Sequence, residues 1–420
     1  MERDIAYIII VINLLVGVYF FISKKTEVPL FIALFNVLVQ TRIVSLENGW
    51  ADFVNFNYQI DFVFTMEQAY LISNYITIGS TIMQYVYMGF YSSPKVSVLD
   101  SDDSFKEFLL SKKNIIFIGL AIFTLFQLFF AGNISDSYGL LSRLGNSSFI
   151  LLFYLLFHFT NPEKTSIKLM YLSGFLFLAW LTYSAELRFQ FLGWMIPVGY
   201  FIFRKYSVQM KIVLMIFGLF VILVIFSAAR VMRYNDVNNM TAEEWYDESY
   251  ERLQVTDDIN FIDGFMMMYQ VYPSMLEHTY GVEHLNVVFR PIPREMWPGK
   301  PLAGWFQNYR EKYGVEFANI GFSPTIYGVF YAEIGEEGIW IFSCLWGVLL
   351  VYVYRKTRQY SSCLSDLLTG VFLAALVPIF RSGDMAGDFA IVLMSYWPIL
   401  FFVWKYNQYV NEKAAANESK

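Results

Sequence analysis

Twelve consecutive residues, Arg290-Pro291-Ile292-Pro293-Arg294-Glu295-Met296-Trp297-Pro298-Gly299-Lys300-Pro301, hold three fixed cations, four prolines and one tryptophan. Each proline locks φ and removes a backbone donor, so the stretch reads as a stiffened, turning loop and not as a helix interior. A loop of this kind keeps Arg290, Arg294 and Lys300 at set spacing. Guanidinium groups match phosphate oxygens in bidentate fashion, and a lysine adds a point charge. The chemistry suggested is the holding of a phosphate or pyrophosphate. The plain alternative is a proline-rich surface loop with solvated charges.

Other charged residues lie within or at the edge of apolar runs, where they are costly and usually line a polar cavity. Glu186 and Arg188 sit between two closely spaced runs, Arg230 and Arg233 close another, Glu333 follows Tyr331-Ala332, and Arg381 precedes Asp384 by three residues. Snorkelling or a structural ion pair is the alternative for each, and Arg42 reads as a snorkelling anchor. His278 and His284 have the chemistry of a general base, although a histidine on a loop helix is more often a surface residue. His158 reads as a buried residue. Asp100-Ser101-Asp102 matches the D-x-D pattern that holds a divalent metal in many sugar-nucleotide glycosyltransferases, but it stands just before a helical run and reads as a helix cap. The chain has no phosphate-cradling glycine loop, no Ser/His/Asp order and no H-E-x-x-H.

The composition says what must position these groups. Of 420 residues, 56% are hydrophobic and only 16% charged, where a soluble domain carries roughly 25% charged residues. Mean hydropathy is +0.44. Aromatic residues make up 20% of the chain; phenylalanine suits lipid-facing helices, while tyrosine and tryptophan suit membrane interfaces and sugar-stacking grooves. The net charge is −6 and no basic tract points to nucleic acid. Two cysteines, Cys344 and Cys363, make no disulfide framework, and three separated histidines give no metal-site spacing.

Apolar runs of the length a bilayer requires, about 20 residues, number about eleven: 5–22, 28–46, 66–90, 114–132, 147–160, 169–186, 189–203, 212–229, 326–354, 367–380 and 389–404. The ninth is too long for its apolar part and is expected to begin near 334. The first has no small-residue cleavage site after it and reads as a retained helix. The expected fold is an all-α polytopic integral membrane protein with ten to thirteen spanning helices. Lysines and arginines collect on alternate connections, which places those connections in the cytoplasm, the N-terminus outside and the C-terminus inside. The same alternation puts 230–325, the longest connection, outside. The expected organisation is therefore a bundle over 1–229, a large, partly helical extracytoplasmic loop over 230–325, and further spanning helices with a short tail over 326–420. Within the loop, Thr241-Ala242-Glu243-Glu244 predicts a capping box that starts a helix through Leu253. Phe261, Phe265, Met268 and Tyr269 share one helical face, and Met266-Met267-Met268 reads as packing or membrane-surface contact. Glu333, Asp384, Arg188, Arg230 and Arg381 all fall on the side of the proline-rich loop.

Arg290 to Pro301 resembles the I/V-P-R-x-x-W-P-x-K-P signature of bacterial oligosaccharide repeat-unit polymerases, the Wzy-type O-antigen polymerases. Gly321-Phe322-Ser323-Pro324-Thr325 and Tyr331-Ala332-Glu333-Ile334-Gly335-Glu336-Glu337-Gly338 are similar to the S-x-x-x…Y-x-E-x-G-x-x-G segment that follows it in that family. The likeness is specific over roughly 261–347 and architectural elsewhere. Family members commonly carry a polar residue before the lysine, where this chain has Gly299. Arg188 and Arg381 match the family's placement of arginine more loosely.

The resemblance implies a substrate, an oligosaccharide repeat unit on undecaprenyl pyrophosphate, outside the bacterial inner membrane, in O-antigen, capsule or exopolysaccharide biosynthesis. The growing glycan would leave one carrier and join the non-reducing end of a new lipid-linked unit. The pyrophosphate already activates the donor, so no nucleotide is expected and no metal is required. Departing pyrophosphate builds negative charge that fixed cations stabilise. Arg290, Arg294 and Lys300 are expected in that role, with Arg188, Arg230 and Arg381 as further candidates. Glu333 is the first choice for a base on the acceptor hydroxyl, with His278 or Asp384 in reserve. Trp297 and Tyr331 are the expected sugar contacts. Expected partners are the lipid-linked oligosaccharide, the bilayer, and a chain-length regulator and flippase of the same pathway. Two other readings fit a cationic cavity. One is a flippase or transporter of lipid-linked sugars, disfavoured because no two related halves are visible. The other is a polytopic glycosyltransferase or ligase acting on a different acceptor.

Overall fold

The computed structural model describes residues 3–53, 62–93, 101–130, 137–160, 163–182, 188–203, 206–207, 209–214, 216–218, 220, 240–255, 260–290, 292, 296–300, 304–313, 323–381 and 383–418. Among these the regular elements are all helical: α1 (Arg3–Lys24), α2 (Val28–Glu47), α3 (Met66–Phe90), α4 (Asp102–Ser111), α5 (Lys113–Phe130), α6 (Ser137–Thr160), α7 (Thr165–Thr182), α8 (Arg188–Phe203), α9 (Ala242–Val255), α10 (Phe261–Val271), α11 (Val282–Phe289), α12 (Trp305–Tyr313), α13 (Thr325–Ile334), α14 (Glu336–Thr357), α15 (Ser362–Arg381) and α16 (Met385–Glu418).

Six of these, α1, α2, α7, α14, α15 and α16, are long and apolar enough to cross a membrane, and α4 with α5, bent by 60°, makes at most a seventh. α1 leaves Ile8, Val11, Leu15 and Tyr19 bare along one side, the stripe expected of a lipid-facing helix. The expected count of about eleven is not reached among the described residues, and the run 212–229 lies mostly outside them. α3 is continuous over 66–90, but Glu67, Gln68, Asn74 and Gln84 dilute its apolar character. The runs at 147–160 and 189–203 end up as short apolar helices, Gly145–Thr160 and Phe191–Phe203. The run 326–354 is divided: α13 ends at Gly335, whose φ of +77° breaks the helix before α14 begins.

The chain forms two compact units, 1–93 with 219–353 and 377–390, and 94–218 with 354–376 and 391–420. This grouping cuts across the stretches read from the sequence: the described helices of 230–325 belong with the first three helices. In the first unit α10 packs against α2, α3 and α13 and is buried almost all round, with Met266, Met267 and Met268 all fully covered, so the methionine run is packing. A Cβ at Gly264 would lie 3.1 Å from the backbone carbon and oxygen of Ser323, so a side chain there would press on the entry to α13 and the glycine eases the close approach of α10. Arg42 is not a snorkelling anchor. It is fully buried, and its Nε and Nη2 donate to Asp263 of α10 at 2.8 and 3.0 Å, while Nη2 also donates to the Asp52 carbonyl at 2.8 Å. A carboxylate on the incoming helix supplies the counter-charge a snorkelling arginine would have sought in water.

The capping box forms as the sequence predicts: Glu244 N donates to Thr241 Oγ1 at 3.2 Å and Thr241 N to the Glu244 carboxylate at 2.7 Å. In the second unit, Phe105, Phe108, Ile150, Leu151 and Tyr406 belong to one apolar core. Of the D-x-D segment, Asp100 lies outside the described residues, and Ser101 and Asp102 act as caps there. Ser101 Oγ receives Ser104 N, and the Asp102 carboxylate receives Ser362 Oγ and Cys363 N at the start of α15.

Candidate functional site

In the first unit, the segment between α10 and α11 turns back at Gly281, whose φ of +91° is the left-handed conformation glycine accepts most readily. Thr279 N and Tyr280 N donate to the carbonyls of Ala332 and Glu333 in α13. This pairing brings the start of α11 over the Glu333 side chain. Glu333 is fully buried. Its Oε2 accepts from Thr279 Oγ1 at 2.6 Å and from Gly281 N, and its Oε1 accepts from His284 N at 3.1 Å and His284 Nδ1 at 2.7 Å. Trp346 Nε1, a donor only, points at His284 Nε2 from 3.2 Å. That leaves the His284 proton on Nδ1 and directs it to Glu333. Burial pushes the Glu333 carboxyl up, but the four donors outweigh it and hold the group below the ordinary glutamate range. All four lone-pair directions of Glu333 are filled. The residue first expected as a base is built as the anchor of α11, giving its N-terminal amides the acceptor they lack.

One residue before His284, Glu283 has the opposite surroundings. It is 1% exposed, its carboxyl receives only Gly304 N at 3.0 Å, and Oε1 has no partner among the described residues. Burial, with the charges of Asp384 and Glu333, pushes it up to about 8 against the pull of the Gly304 amide. Sequence reasoning missed this residue because α11 is inverted. Leu285 and Val288 face outward while Glu283 and Asn286 are buried, and apolar periodicity assigns the faces the other way round. The signal that remains in the sequence is the pair of polar residues three apart on so short a helix.

Asp384 opens α16, where its Oδ1 receives Gly387 N at 2.8 Å. It also lies against Gly304: a Cβ there would be 3.3 Å from Asp384 Cγ. Arg381 closes α15 three residues earlier. His278 is half-buried; its Nδ1 meets the Ala332 carbonyl at 3.2 Å and its ring stacks on Tyr272. Tyr331 is buried edge-on to His278, with its hydroxyl 3.5 Å from the Tyr272 carbonyl.

The proline-rich stretch starts as α11 ends. Lys300 Nζ donates to the carbonyls of Arg290 and Ile292 at 3.2 and 2.9 Å, so this ammonium ties the two ends of the loop together. Trp297 packs edge-on against Phe289. Arg290 is exposed, and its guanidinium has no hydrogen-bond partner among the described residues. Arg294 and Arg230 lie outside the described residues. Arg188 opens α8 in the second unit. Within the first unit the chain thus brings together Glu333, His278, Asp384, Tyr331, Arg290 and Lys300, and adds Glu283 and His284. An arrangement of one rigidly held carboxylate, one buried acid, one half-buried aspartate and an exposed cation, Arg290, can move a proton and hold an anion. No protein-family model, curated protein or solved structure matches the chain.

Proposed function

We propose that this protein is a polymerase of lipid-linked oligosaccharide repeat units, transferring a growing glycan from undecaprenyl pyrophosphate to a new lipid-linked unit at the extracytoplasmic face of a bacterial inner membrane. One observation carries the reading. Arg290 is exposed, and so are the apolar side chains that flank it in the chain, Leu285, Val288, Ile292, Met296 and Trp297, with Val288 70% and Met296 78% exposed. A ligand that is both anionic and lipidic, a pyrophosphate on an isoprenoid tail, has this pairing of properties. The sequence likeness to Wzy-type polymerases over 261–347 supports the same reading. Arg290, with Arg294, is the group assigned to the leaving pyrophosphate. Lys300 keeps the loop closed, and Trp297 is the assigned sugar contact; Tyr331, expected in the same role, is instead buried among Tyr75, Phe265, Tyr269 and His278 and packs the core. Asp384, half-buried and beside the loop's end at Gly304, is assigned as the base on the acceptor hydroxyl, since Glu333 has no lone pair to offer. His278 stands in reserve.

The test is to reconstitute the protein in vesicles with undecaprenyl-pyrophosphate-linked repeat units extracted from the cells that carry it, and to separate the glycans by size. A ladder of multiples of the repeat supports polymerisation. Movement of the lipid-linked sugar across the vesicle membrane without a ladder supports the transporter reading in its place.

A further inference from the structure

Glu283 and Asp384 both lie close to the backbone at Gly304, within electrostatic reach of one another. Gly304 N donates to Glu283, and a Cβ built on Gly304 would lie 3.3 Å from the Asp384 Cγ. Gly304 has φ +87°, and a side chain there would meet Asp384, so a glycine is what lets both acids approach it. The two differ in what satisfies them. Among the described residues, Glu283 is buried with a single donor and a bare Oε1. As a carboxylate it would be a buried charge with half its acceptor capacity empty; as an acid it avoids that cost. Asp384 is half-buried and receives a backbone amide at the start of α16, where the helix favours negative charge. The buried Tyr272 hydroxyl is a second polar atom without a partner among the described residues, within electrostatic reach of Glu283 and Glu333.

We propose that Glu283 and Asp384 hold one negative charge between them: Asp384 accepts the proton of the attacking hydroxyl, and Glu283 is the positioning residue that keeps a second charge out of the site. This rests on the polymerase reading. In the step, the acceptor oxygen bonds to the anomeric carbon as the bond from that carbon to the pyrophosphate oxygen breaks. The bonding pair leaves with the lipid pyrophosphate, and the hydroxyl proton goes to Asp384. No further reactant is needed. Two carboxylates side by side would repel the pyrophosphate on both binding and departure. Among the described residues, the groups facing Glu283 are Asp384 at the start of α16, Glu333 from α13, Tyr272 after α10 and the Gly304 amide. Burial and the two carboxylates push Glu283 up to about 8.

The experiment compares the rate of chain extension against pH for the wild type, Glu283→Gln and Glu283→Asp in vesicles, with infrared difference spectra recorded on the same samples. Glutamine has the shape of the neutral acid and does not ionise. The wild type is expected to lose about tenfold in rate per pH unit above about 8, Glu283→Gln to run flat through that range, and Glu283→Asp to keep an alkaline fall. The wild type is also expected to show a protonated-carboxyl band near neutral pH that is missing in Glu283→Gln. A ladder whose alkaline fall is unchanged in Glu283→Gln overturns the pairing and leaves the polymerase reading standing. A protein that makes no polymer at any pH overturns the polymerase reading and the role of Asp384 with it.

Discussion

At the scale of single residues, the site turns on two buried glutamates whose donor counts are four and one. Glu333 satisfies the turn at Gly281 and the first amides of α11. Hydrogen bonds to a charged group contribute about 1.5–3 kcal/mol each, so Glu333→Ala is expected to lower stability by about 3 kcal/mol or more, measured by thermal unfolding in detergent. Glu333→Asp, with a shorter reach, should recover only part of it. Glu283 carries the opposite pH signature. Its folded pKa of about 8 lies above the roughly 4.3 of an unfolded glutamate, so the folded state binds more protons between those limits. Its contribution is complete below the lower value and is lost as pH rises through about 8, by about 1.4 kcal/mol per pH unit. Unfolding midpoints of the wild type should therefore fall between about pH 5 and 8 and level off above that, and those of Glu283→Gln should fall less; equal slopes would show that Glu283 ionises normally. Glu333 was legible in the sequence because a carboxylate interrupts an apolar run. Its task was not, because the donors arrive from residues 279–284, some fifty positions away. Lys300 was legible as a cation, but the carbonyls that hold it become neighbours only once the prolines have turned the loop.

At the scale of elements, α10 joins the loop stretch to the membrane helices. Its sequence shows one apolar face, and it is covered on nearly every side because α2, α3 and α13 surround it. Burial all round leaves Asp263 in need of a charge partner, and Arg42 supplies it at 2.8 Å. Breaking such a pair by removing one member costs about 3–5 kcal/mol, because a bare buried charge remains. Asp263→Ala is expected to lose that much stability, whereas the double change Arg42→Met with Asp263→Leu should lose clearly less than the two single changes added together; strict additivity would mean that the two side chains act separately. Gly264→Val should cost about 1–3 kcal/mol through overpacking against Ser323 and Pro324, read from the same unfolding curves. Neither contact could be read from the chain, since periodicity names a face and not the element that covers it.

At the scale of the whole molecule, low charge and long apolar runs point to a helical membrane protein, and the described helices agree, with six long and apolar enough to cross. The number of crossings was less legible. Apolar runs separated by almost nothing, such as 169–186 and 189–203, do not reveal which become full spans, and polar residues on α3 serve buried contacts such as Ser73 to Gln40 and Gln84 to the Asn13 carbonyl. The proline-rich stretch was legible as a rigid cationic loop; the exposure of the apolar side chains that flank Arg290 depends on the inverted face of α11 and was not. If that stretch meets the lipid pyrophosphate, its one exposed described cation matters more than the one that ties the loop. The most direct measurement is the size distribution of glycans formed from undecaprenyl-pyrophosphate-linked repeat units by the wild type, Arg290→Ala and Lys300→Met, each checked for retained helix content. The account predicts a ladder from the wild type, at least tenfold less polymer from Arg290→Ala, and a smaller loss from Lys300→Met. A wild type that yields no ladder, or an Arg290→Ala protein that extends chains at the full rate, would contradict it.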